Sequence, residues 1–188
     1  MWRVTVEQRP LLACCALWIR AAERIETPRD PLVPGPLDLD DPPDPTYPGD
    51  PETLTSQWTA WWHAIVGPPG DTTIGAAEPA HDTIDPLGLA SHPELAAVVR
   101  QRGPDAVRWH ASGIPETRAP LDAEELVSRA EAKLERQAGA FDLHLTLLPV
   151  RDHLIRTAVR GRQYLVPEGL IGGSGFRAWL TDLIGRVM

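Results

Sequence analysis

The chain has little cysteine, a single lysine and no apolar run long enough to cross a bilayer. Its two cysteines, Cys14 and Cys15, are adjacent, and neighbouring side chains on a helix or strand do not face each other, so a disulfide framework is excluded. A reducing, cytoplasmic compartment is the expectation. Residues 11–19 form an apolar run of nine, which as a helix spans ~14 Å of a hydrocarbon core ~30 Å thick. Arg3 and Arg9 precede it, and Leu11-Leu12-Ala13-Cys14 has the look of a lipoprotein box, but the apolar run continues past Cys14. A buried helix accounts for it better than a leader or an anchor. There is no G-x-S-x-G, P-loop, H-E-x-x-H, C-x-x-C or EF-hand pattern, which removes the usual reasons to assert a reaction.

Basic excess is also lacking. Of a net charge of −8, seven units fall between Glu26 and Glu52, leaving the rest of the chain nearly neutral. Neither part suits a phosphate backbone, so general nucleic-acid binding is not expected. At 188 residues the chain fits a single domain that needs no staples.

What is present is patterned. Trp2, Val4 and Val6 alternate with Arg3, Thr5 and Glu7 as a short strand, and Pro10 opens a helix to about Ile25. Nine prolines and six acids then make 27–51 an extended arm, read as a linker whose shortening costs little. Asp50 and Pro51 start a helix with Leu54, Trp58, Trp61, Trp62, Ile65 and Val66 on one stripe. A second long loop covers 67–90. Ser91 and Glu94 read as a capping box for a short helix that Gly103-Pro104 stops, and Asp122 with Glu125 caps another that Gly139 closes. Three strands follow, with Leu143, Leu145 and Leu147 on one face of the first, and then a helix carrying Phe176, Trp179, Leu180, Leu183 and Ile184. The expected class is α+β: a helical N-terminal part with the acidic arm, then a helix, a three-stranded antiparallel meander and a final helix.

Several clusters could carry chemistry. Gly173, Ser174 and Gly175 match part of a dinucleotide fingerprint, but no second strand or ribose-binding acid follows, which leaves at most a weak anion site at a helix start. His81-Asp82, with His63 before and Asp85 after, resembles the metal set of HD-type phosphohydrolases. That resemblance covers three or four residues and implies imidazole and carboxylate ligands around an activated water. Asp142 and His144 share the polar face of their strand. The reading adopted is a non-catalytic adaptor that binds another protein and uses no cofactor or metal, with a small metal-dependent hydrolase as the rival. The expected contacts are Asp38, Asp40, Asp41 and Asp44 on the arm, Trp61 at the rim of its stripe, and Arg151, Arg156, Arg160 and Arg162, which compete for the arm from within.

Overall fold

A computed structural model describes residues 1–27, 30–67, 88–113, 122–158 and 162–187. Strand β1 (Arg3–Gln8) passes through Arg9, at a left-handed φ of 48°, into helix α1 (Leu11–Ala22). All of 13–20 is buried, because a helix apolar on every side has nowhere else to go. Helices α2 (Pro51–Val66) and α3 (Pro93–Ser112) pack on it. In α2 the Asp50 carboxylate accepts from the N–H groups of Glu52 and Thr53, and Pro51 occupies the first turn. Leu54, Trp58, Trp61, Trp62 and Val66 are its buried stripe.

Helix α3 corrects two expectations. His92, not Ser91, precedes its first turn and makes no side-chain cap; instead Gln57 Oε1 accepts from the Leu95 N–H at 2.9 Å. The helix also continues through Gly103-Pro104 to Ser112. An internal proline costs ~3 kcal/mol. Glycine eases the steric restriction on the residue before it, and burial of Val98, Val99, Ala106 and Val107 on both sides of the break outweighs the remainder.

Helix α4 (Ala123–Leu134) starts on the Asp122 cap, whose carboxylate accepts from the Glu125 N–H at 2.9 Å, and ends at Glu135 in the left-handed region instead of at Gly139. Strands β2 (Asp142–Leu148), β3 (Arg156–Thr157) and β4 (Gln163–Pro167) precede helix α5 (Ser174–Val187). The chain is α+β, but the antiparallel meander is overturned: the sheet is mixed, four-stranded, in the order β1-β2-β4-β3. β1 lies parallel to β2 and β2 parallel to β4, while only β3 is antiparallel to its neighbour. Strand directions after α4 match a meander; the neighbours do not. The segment after β2 is drawn out to meet the arm, where Leu37 bridges Val150, so β3 forms at the far edge and β4 returns beside β2.

The two sheet faces serve two cores. Leu143, Leu145, Leu147, Tyr164 and Val166 join α4 and α5, whereas Leu148, Val150 and Leu165 join α1, α2 and α3. This period-two division is what strand geometry imposes.

The arm is not a free linker. Residues 30–49 form no helix or strand beyond the Leu37 bridge, yet Val33 and Leu37 are buried. Trp62 Nε1 donates to the Leu32 carbonyl at 2.9 Å, and the Asp38 N–H donates to the Pro149 carbonyl at 2.8 Å. Proline and charge rule out a regular element here, but they do not prevent the intervening apolar side chains from entering the core.

Candidate binding groove

Charged residues at the C-terminal end of α1, Arg20 in its last turn and Glu23 just beyond it, fasten the arm. The Glu23 side chain is wholly buried and accepts from the Thr46 and Tyr47 N–H groups, each at 2.9 Å, and from Arg102 Nε of α3 at 2.7 Å. Burial pushes its pKa up, but the Arg102 bond and the backbone donors more than offset that and hold it below its ordinary value. Arg102 also donates to the Asp44 carbonyl. One turn earlier, Arg20 lies 5.3 Å from the Trp58 ring centroid and donates to the carbonyls of Pro34 and Gly35. Burial, with Arg156 nearby, lowers its pKa to about 10, so it stays charged at neutral pH. The Gly35 N–H donates to Asp152 at 2.5 Å, and a Cβ on Gly35 would meet that carboxylate at 2.6 Å. Only glycine lets the arm approach this closely.

Fastened this way, residues 45–52 wall an open groove of about 900 Å³ between the end of α1 and the outer face of α2. Pro45, Pro51 and Ala60 supply apolar surface above buried Ile25 and Leu54, and Thr55 and Thr59 supply hydroxyls. Glu26 and Glu52 stand on its rim, with no ion-pair partner among the described residues. Arg24 pairs with Asp44 at 3.2 Å and His63 Nε2 lies 2.7 Å from Asp30. Among the described residues the surplus charge is therefore negative, over an apolar floor. A smaller cleft of about 390 Å³ lies between Trp18, Pro42, Pro43 and Trp109.

No family model, curated protein or solved structure matches this chain. Function must be read from the residues themselves.

The expected contacts are scattered by the fold. Arg151 holds Asp38 at 2.9 Å and Asp40 at 2.8 Å on the exposed surface; these bonds, Asp38 first, raise its pKa. Asp41 is exposed, and Asp44 sits at the other end of the arm with Arg24. Arg156 turns inward to Asp152 at 2.6 Å and to the Val33 carbonyl at 3.1 Å, so it is no part of an open basic face. Arg162 is exposed, and Arg160 lies outside the described residues. Trp61 is 1% exposed and cannot serve as a rim contact; its Nε1 finds no hydrogen-bond partner among the described residues. The stripe on α2 is wide enough to take all three tryptophans into the core.

Of the hydrolase set only His63 is described; His81, Asp82 and Asp85 lie outside the described residues. Asp142 is exposed, and His144 meets Glu7 at 3.3 Å instead of completing a ligand set with it. Among the described residues no three His, Cys, Asp or Glu side chains gather where a metal could sit. Gly173, Ser174 and Gly175 are exposed at the start of α5. No described helix is long and apolar enough to cross a membrane.

Arg20, Glu23, Glu26, Glu52 and Arg102 were not singled out from sequence. A signal existed for two of them: Arg20 and Glu23 interrupt an otherwise apolar helix that must be buried, so each needs a partner inside.

Proposed function

We propose that this chain is a non-catalytic adaptor that takes an extended basic segment of a partner protein into the groove beside α2. The single observation that carries the reading is the pair of carboxylates, Glu26 and Glu52, with no ion-pair partner among the described residues, over an apolar floor in an open trough of about 900 Å³. A partner segment with arginine or lysine spaced by apolar residues would meet both features: its charges find the rim and its apolar side chains find Pro45, Pro51 and Ala60. The hydroxyls of Thr55 and Thr59 add hydrogen-bonding positions along the same wall.

This moves the contact surface from the middle of the arm to its end. Asp38 and Asp40 already have Arg151, and a partner would have to displace it. The arm's middle then works as the fastening and its end as the wall.

The test is a panel of short peptides graded in charge, screened against the purified protein and a Glu26→Gln/Glu52→Gln variant. Basic, apolar-spaced peptides should bind the parent, bind the variant at least about ten-fold more weakly, and lose affinity as salt rises. Equal binding to both proteins would remove the groove from the account.

A further inference from the structure

We propose that two copies of this chain pair through their β1 strands, joining the two sheets into one antiparallel-centred sheet. The inference is independent of the groove.

β1 is an edge strand, bonded to β2 on one side and to no other strand among the described residues. The Arg3 N–H donates to the Phe141 carbonyl at 2.9 Å and the Arg9 N–H to the Leu147 carbonyl at 3.0 Å. In a parallel ladder of this register residues 3, 5, 7 and 9 address β2, so Val4, Val6 and Gln8 turn their N–H and C=O groups to the free edge. Natural sheets guard such edges with lysine, proline or a bulge, or by keeping the strand short. β1 has six residues with neither proline nor lysine, and its two charges, Arg3 and Glu7, are of opposite sign and so do not repel a second antiparallel copy, whereas the opposite edge, β3, has two residues.

The sequence of the strand identifies the occupant. Arg3-Val4-Thr5-Val6-Glu7 is self-complementary about Thr5. In a two-fold antiparallel pair centred there, Val4 of one copy exchanges both backbone bonds with Val6 of the other. Thr5 faces Thr5, and Arg3 faces Glu7 on both sides of the axis. The residues that must bond across the new edge are the ones whose backbone groups turn outward, and Arg3 and Glu7 fall at the non-hydrogen-bonded positions, where side chains come closest. On the other face Val4 and Val6 continue the apolar surface of Leu143 and Leu145, their neighbours on β2. Val6 is 37% exposed in the single chain and would be covered by Val4 of the second. Glu7 offers one carboxylate oxygen to His144 at 3.3 Å and keeps the other for Arg3 of the second copy.

Sedimentation velocity across ~1 µM to ~1 mM tests the pairing, since a single edge ladder is a small interface and calls for modest affinity. The parent chain should pass from monomer to dimer in that range. Arg3→Glu and Glu7→Arg, each turning two symmetry-related attractions into repulsions, should each weaken the dimer by about ten-fold or more. The double variant Arg3→Glu/Glu7→Arg restores complementarity and should restore the dimer. Thr5→Cys should cross-link to itself under mild oxidation faster than Arg3→Cys does, because paired residues on the axis meet the Cα separation a disulfide needs. Circular dichroism confirms that each variant is folded; if either reversal unfolds, the cross-linking comparison decides alone. A parent chain monomeric at every concentration overturns the proposal. So does a dimer indifferent to the charge reversals, or one in which Thr5→Cys links no faster than Arg3→Cys.

Discussion

Replacing Glu23 by glutamine removes the charge that fastens the arm while keeping the side chain's shape. In the native chain the Glu23 carboxylate is wholly buried, and its partner Arg102 has a side chain only 10% exposed. Breaking one side of a buried pair costs ~3–5 kcal/mol, because the remaining charge is left in a poor solvent. The lower end applies, since Arg102 keeps the Asp44 carbonyl; the glutamine NH2 in turn faces either the Thr46 and Tyr47 N–H groups, which share Oε2, or Arg102 Nε, which uses Oε1. A loss of about 3 kcal/mol follows, read in urea as a midpoint lower by about 1–3 M at unchanged slope. The pH dependence carries the same signature. Because the folded pKa of Glu23 lies below its ordinary value of 4.5, the unfolded chain takes up this proton first as pH falls. The stabilisation from Glu23 is complete above that value and is lost as pH drops through the folded pKa. Glu23→Gln should therefore flatten the acid limb of the stability profile. A cost under about 1 kcal/mol with an unaltered acid limb would show that the arm is held by something else.

Deleting residues 37–45 takes out buried Leu37, its bridge to Val150 and the Asp44 carbonyl that Arg102 uses, so thermal melts should show a loss above about 3 kcal/mol, not the near-neutral result of a free linker. On α5, Leu180→Ala should cost about 2–5 kcal/mol in denaturant melts, and Trp179→Ala less than emptying a fully buried aromatic site, because Leu180 is fully buried whereas Trp179 is half-buried against Tyr164 and Phe176. Cys14 and Cys15 are both buried, and burial pushes both thiols up, Cys15 to about 12; a thiol-reactive dye should therefore label neither until the protein unfolds.

Local periodicity was enough to find β1, α1, α2, α4, β2, β4 and α5, because each has one apolar face or, in α1, no polar one. It could not order the sheet. β1 pairs with β2 across more than a hundred residues of intervening chain, and nothing within Asp142–Leu148 records which strand lies on either side. It misplaced the end of α3, since Gly103-Pro104 is a stop signal in isolation and a tolerated defect once both flanks are buried. The arm shows the same limit from the other direction. Residues 30–49 have no regular element beyond the Leu37 bridge, but Val33 and Leu37 are too few to reveal a docked segment without the site that receives them. The groove was illegible because its wall, floor and rim come from the arm, α1 and α2 together. Glu26 and Glu52 enter the proposal because no described residue pairs with them, and that is a fact of space, not of spacing.

The groove is tested most directly by following backbone amide resonances of the isotopically labelled protein as an alternating arginine–leucine peptide is added, with a glutamate–leucine peptide as control. Binding in the groove predicts that the basic peptide alone shifts a contiguous set at Glu26, Glu52, Thr55, Thr59 and His63, and that Glu26→Gln/Glu52→Gln abolishes those shifts. Shifts confined to 38–41 on the outer face of the arm, or an equal response to the acidic peptide, would contradict it.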